Sequence, residues 1–230
     1  MKGFMLILLF VVSCDNHLIE PYDLVALGVA GSGNSNFQII DSHSYDDWKY
    51  FSIGPNADTL ISVTVDSRCD NETWDIAFNR NHIRTNGGTS GIACGGSYVN
   101  RDRLWNEESF SQFIFEQSNY ASGTINFQFD TSINSVYQGL GSFGSTCASS
   151  ELEEWGSFDS NYTLIPTNFQ LFVRSANGEK IIAMWIVTYY GTGSSGGYPL
   201  VNYIIFENDD LNLVCSAPED CIPEEECSEL

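Results

Sequence analysis

The stretch that most limits what this chain can become is residues 74–91, Trp-Asp-Ile-Ala-Phe-Asn-Arg-Asn-His-Ile-Arg-Thr-Asn-Gly-Gly-Thr-Ser-Gly. Its first half alternates, with Trp74, Ile76 and Phe78 on one side and Asp75 and Ala77 on the other, which is the period of a strand with one buried face. His82, Ile83, Arg84 and Thr85 form a second short extended run. Asn86-Gly87-Gly88 then supplies residues that tolerate positive φ, as a tight turn requires. A strand, a break, a second strand and a glycine-rich turn in so short a span commit this part of the chain to β structure.

Content of β-branched and aromatic residues predicts further strands over 37–40, 48–53, 59–66, 124–129, 169–174, 181–190 and 200–207, with Gly, Asn, Asp and Ser clusters between nearly all of them. The best helix candidate is 106–117, where Phe110, Phe113 and Ile114 can share a face, although the segment reads equally as a strand. The predicted fold is all-β, mostly antiparallel, with long loops, at most a short helix, and a hairpin near the C-terminus turning at 191–197.

Lys2 and an apolar run over 4–12, too short to span a bilayer, precede Val11-Val12-Ser13-Cys14. Residues 1–13 therefore read as a signal peptide, and the end of it resembles a bacterial lipobox whose cysteine, Cys14, carries lipid. Attachment to a membrane is then expected through lipid alone. Residues 14–36, with Gly31-Ser32-Gly33-Asn34-Ser35-Asn36, read as a flexible tether, 37–214 as one domain, and 215–230 as an acidic cysteine-containing tail. Nine Lys and Arg stand against 30 Asp and Glu, a net charge of -21. Nucleic acid is excluded as a partner, because phosphate binding needs clustered cations.

Besides Cys14, six cysteines remain: Cys69, Cys94, Cys147, Cys215, Cys221 and Cys227. An even number in an exported chain predicts three disulfides with open connectivity. The even spacing of the last three lacks the tight ligand pairs of a zinc site, and no metal site is expected. Glu207-Asn208-Asp209-Asp210-Leu211-Asn212 clusters oxygen ligands but lacks the glycine and spacing of a calcium loop, and reads as a solvated acidic turn. Residues 193–197, Gly-Ser-Ser-Gly-Gly, satisfy G-x-S-x-G formally, yet a nucleophile elbow needs a helix after the serine and this turn leads into a predicted strand. No enzyme is expected.

Taken in order, Ile39-Ile40-Asp41-Ser42, the segment Ser44-Tyr45-Asp46-Asp47-Trp48-Lys49-Tyr50-Phe51-Ser52, the block 74–91, and Asn168-Phe169-Gln170-Leu171-Phe172-Val173-Arg174 with the strand ending Tyr189-Tyr190 resemble the HmuY family, bacterial haem-binding lipoproteins of the cell surface. The resemblance spans roughly residues 39–206. It implies a lipid-anchored protein of the bacterial outer membrane or cell surface that takes haem, or a related hydrophobic ligand, between loops at one end of a β scaffold and hands it to an outer-membrane transporter. The alternative is a surface interaction protein that keeps the scaffold without ligating haem.

In the family the haem ligands come from two loops between the Asn-Gly-Gly turn and the C-terminal hairpin, commonly His or Met. Here residues 92–166 contain neither. The ligand candidates that this interval offers are Tyr162, Cys147 and Tyr137, since tyrosinate and thiolate also hold haem iron. By the same resemblance His82 belongs to the scaffold. Arg80 and Arg84 are expected to pair with nearby carboxylates, and Trp74 and Trp48 to anchor the core.

Overall fold

Alternation along the C-terminal strands sets the architecture. In the computed structural model, which describes residues 35–56, 58–70, 72–114 and 125–208, the strands are β1 (Asn36–Ile39), β2 (Lys49–Ile53), β3 (Leu60–Val63), β4 (Ile76–Asn79), β5 (His82–Thr85), β6 (Gly96–Leu104), β7 (Thr131–Gly139), β8 (Ser142–Ala148), β9 (Gly156–Phe158), β10 (Leu164–Pro166), β11 (Phe169–Arg174), β12 (Lys180–Tyr190) and β13 (Gly196–Glu207). Five of them form an antiparallel sheet in the order β1-β13-β12-β11-β6, and four form a second in the order β3-β2-β4-β5. Two hairpins, β7-β8 and β9-β10, are the remaining paired strands among the described residues. The signal peptide, Cys14 and the tail with Cys215, Cys221 and Cys227 lie outside the described residues, whereas Asn36, read as tether, is the first residue of β1.

The larger sheet is covered on both faces. Leu171, Val173, Ile182, Met184, Ile186 and Val201 point toward the second sheet and meet Phe51, Ile76, Phe78 and Ile83 in the main core. Phe172, Ile181, Ala183, Trp185 and Ile204 point the other way and pack with Trp105 and Phe110, as period-two strands demand. The helix covering that face, α1 (Glu107–Ser111), is short and opens with a capping box, Asn106 and Ser109 each bonding the other's backbone. Phe110 is buried and Phe113 stacks edge-on to Trp105, but Ile114 is 71% exposed and does not share their face.

The block 74–91 becomes a strand, a turn and a strand as expected, yet both faces of β4 are buried, not one. Asp75 leads into it with 6% exposure. Its carboxylate accepts from the backbone N–H of Ile53 (2.8 Å) and of Ala176 (2.7 Å) and from the Ser52 hydroxyl (3.2 Å). It thereby fastens the smaller sheet to the β11-β12 turn. Trp74 is wholly buried, while Trp48 is half-buried and roofs the buried Arg84, whose guanidinium lies 3.4 Å from its ring centre. The following turn is built around Asp130: Thr85 donates both its N–H and its hydroxyl to that carboxylate at 2.8 Å each. Burial nevertheless pushes Asp130 up to about 7. Gly88 takes φ +64 there, and a Cβ on it would meet the Asp130 carbonyl oxygen at 2.4 Å.

Two expectations fail for identifiable reasons. Of the described part of the predicted strand 124–129, only Gln128 makes a ladder contact, an isolated bridge to Ser97; the apolar residues Ile125 and Phe127 alternate because they pack on the second core. Conversely, β6, β7 and β8 were not predicted, being rich in Ser, Asn, Gly and Arg, and their pairing comes from tertiary partners rather than from side-chain propensity.

Candidate functional site

A cavity of about 580 Å³ opens at the end of the scaffold where the β4-β5 turn meets the β12-β13 connection, a size common among small-molecule sites. Its floor starts from Arg80, whose φ of +52 makes the tight turn between β4 and β5. The turn is pinned from three sides. The Arg80 N–H donates to the Ser42 carbonyl at 2.7 Å, and its Nη1 donates to the carbonyls of His43 and Gly196 at 3.0 Å each. Gly197, φ +94, permits this approach, since a Cβ there would lie 2.9 Å from that Nη1. The Gly193–Gly197 stretch is therefore a packing turn between two strands.

The walls are aromatic. Asn79 holds the loop bearing Tyr45 by donating to the carbonyls of Ser44 (3.2 Å) and Asp47 (3.1 Å), and Tyr45 lies under the Arg80 guanidinium at 4.4 Å. Tyr189 and Tyr190 are consecutive and in a regular strand would face opposite sides. Register shifts in the β12-β13 ladder after Ile186 and after Thr188 bring both onto the cavity. Burial pushes the Tyr189 phenol up to about 12, so it stays protonated at neutral pH. The Tyr190 hydroxyl accepts the Leu164 N–H at 2.7 Å and so holds β10 in place.

Two of the three ligand candidates reach this cavity. Tyr137 lies between Tyr45 and Phe143, its ring centre 5.5 and 5.4 Å from theirs, and its hydroxyl accepts the Gly141 N–H at 3.2 Å. Tyr162 is 87% exposed and occupies φ +60 in the β9-β10 turn, which Asp159 closes by accepting from the N–H groups of Asn161 and Thr163. Positive φ at a bulky residue is unusual, and here it presents the phenol at the cavity rim. Cys147 is a correction: wholly buried on β8 opposite Ser132, it is not on the cavity wall, and a sulfur there cannot reach a ligand in it.

His82 and Arg80 are corrections of another kind. His82 lines the cavity rather than serving only the scaffold, with Nδ1 2.9 and 3.0 Å from the two carboxylate oxygens of Glu153. Arg80 makes no ion pair with a carboxylate among the described residues; carbonyls and aromatic rings surround it instead. Arg84 donates to the hydroxyls of Tyr50 (3.2 Å) and Thr146 (3.3 Å), and its positive charge favours the ionised form of the buried Asp130.

The sequence profile of the HmuY protein family matches residues 44–203, well over half of the 230 residues. The chain belongs to the HmuY family. Solved structures share the HmuY fold at low identity. A Bacteroides fragilis protein named as a lipoprotein superposes with a TM-score of 0.53 at 20% identity, over 75% of this chain and 89% of that one. An apo HmuY analog from Tannerella forsythia gives 0.51 at 14%, over 74% and 95%. A HmuY-like haem-binding protein from Bacteroides vulgatus gives 0.49 at 17%, over 74% and 91%. No curated protein matches the chain.

Proposed function

We propose that this HmuY family member is a lipid-anchored surface protein that takes haem into the cavity at the β4-β5 turn and passes it to an outer-membrane transporter. It is a binding protein, not an enzyme. The observation that carries the reading is the cavity wall: Tyr45, Tyr137, Tyr189 and Tyr190 offer apolar ring faces, and Arg80 offers a cation with no carboxylate partner among the described residues. Haem needs both, being a flat apolar ring edged by carboxylates. Tyr162 and Tyr137 remain the oxygen-ligand candidates of this reading, with Tyr162 ahead because no described residue bonds its hydroxyl, whereas the hydroxyl of Tyr137 is already engaged. Membership of a haem-binding family supports the same ligand.

The anchor is assigned to Cys14 at the end of the leader-like segment. A Cys14→Ala variant is expected in the soluble fraction; its recovery with membranes would remove the lipid from the account. The six remaining cysteines are assigned to three disulfides, the pairing expected of an even number in an exported chain.

Titrating the full-length protein with ferric haem is expected to give a shifted, saturable Soret band at one haem per chain. A second reading, a surface protein that docks another macromolecule, is favoured by the exposed residues Leu140, Phe143 and Phe158, 107%, 67% and 60% accessible. An unshifted Soret band through micromolar haem leaves that reading and discards the first.

A further inference from the structure

We propose that His82 is an iron ligand of the cavity, presenting Nε2 to a ferric porphyrin from the scaffold side. This rests on the haem reading above and departs from the sequence expectation that places ligands in the later loops. The argument begins with the ring's orientation. An ionised carboxylate only accepts hydrogen bonds, so a Glu153 carboxylate in contact with Nδ1 through both oxygens, 2.9 and 3.0 Å away, puts the proton on that nitrogen. In the neutral imidazole the lone pair then belongs to Nε2. Nε2 has no hydrogen-bond partner among the described residues, yet it is not among their sealed, unsatisfied buried atoms. The side chain retains 9% exposure, and the open space it borders is the cavity.

A carboxylate behind a histidine, fixing its tautomer and raising its basicity, is the arrangement found behind metal-bound imidazoles. Glu153 is itself held by structure. It belongs to the 3-10 turn Leu152–Trp155, whose Leu152 and Trp155 are buried and whose indole N–H donates to the Asn81 carbonyl at 2.7 Å. Turn and hairpin are thus locked together, and the His82-Glu153 pair is set before any ligand arrives. The other polar side chains on the cavity wall are tyrosine hydroxyls, the amides of Asn81 and Asn134, the Glu153 carboxylate already engaged with His82, and the Arg80 guanidinium; His82 is its one imidazole. Arg80, two residues earlier, adds the positive charge that a porphyrin carboxylate seeks. The bond formed is Nε2 to iron, made with the imidazole lone pair, and the group displaced is the water or chloride on ferric haem.

The test uses the full-length protein with two probes, ferric haem and metal-free protoporphyrin. Replacing His82 by Ala is expected to weaken ferric haem at least tenfold and change its Soret and electron paramagnetic resonance spectra, while leaving affinity for metal-free protoporphyrin unchanged. In His82→Gly, added imidazole is expected to restore the wild-type spectrum. Glu153→Gln should keep the ligand but raise the midpoint potential of the bound iron, because a less basic imidazole stabilises ferric iron less. If His82→Ala binds ferric haem with an unaltered spectrum, the ligand assignment fails and the haem reading stands. Equal loss of both probes would mean that His82 only supports the cavity wall, and would also overturn the assignment. No Soret shift with the wild-type protein overturns both claims.

Discussion

Replacing Asp75 with Ala is expected to lower the free energy of unfolding by about 4 kcal/mol, because it removes the acceptor of the part-buried Ile53 N–H and of the buried Ala176 N–H. The two donors belong to different parts of the fold, one to the smaller sheet and one to the turn after β11, so the carboxylate joins units that are far apart in sequence. Asp75→Asn keeps one acceptor and turns a donor toward the other N–H; roughly half the loss is expected. Urea unfolding should show a lower midpoint with an unchanged slope. A midpoint within experimental error of wild type for Asp75→Ala would mean that solvent reaches these donors and that the sheets are joined by apolar packing alone.

Trp155→Ala is expected to cost about 3 to 5 kcal/mol, the range for deleting a buried indole, and to damage ligand binding as well. Trp155 is 3% exposed, packs 5.9 Å from Tyr189 in the main core, and bonds the carbonyl of Asn81 at the tip of the β4-β5 turn. Its removal therefore loosens the turn that carries Arg80 and His82. Trp155→Phe retains most of the packing and loses the indole N–H, for which about 1 kcal/mol is expected. Comparing the two variants separates volume from hydrogen bonding: a Phe variant as unstable as the Ala variant would place the effect in the Asn81 contact, contrary to the account.

The scaffold was legible where hydrophobic period and turn chemistry agree. β5 and β11 coincide with the predicted spans, and β2, β4 and β12 differ from theirs by a residue or two, because each carries core-facing apolar residues that a period of two reveals. β6, β7 and β8 were not legible. Their Ser, Asn and Gly content belongs to strands that draw stability from neighbours, and β7-β8 has exposed residues along much of its length. For the site, Tyr137 and Tyr162 were found by searching the interval that the family resemblance marks. Cys147 was taken from the same interval by chemistry alone, and nothing in the sequence shows that its side chain turns inward. His82 and Arg80 stood within the most informative block of the chain, but the first was read as scaffold and the second as a partner of nearby carboxylates. What makes them cavity residues is the approach of the β12-β13 turn and of Glu153, separated from them by 116 and 71 positions in the Arg80-Gly196 and His82-Glu153 contacts. The paired Tyr189 and Tyr190 were visible as a motif, while the register shifts that aim both at one cavity were not.

The most direct test of the central claim is the position of iron in crystals of the full-length protein grown with ferric haem, located by anomalous scattering at the iron edge. The account expects one peak per chain inside the cavity bounded by Tyr45, Arg80, His82, Tyr137 and Tyr189, within bonding distance of His82 Nε2 and with a porphyrin carboxylate toward Arg80. An iron peak outside those walls, or haem-soaked crystals with the cavity filled only by solvent, would contradict it.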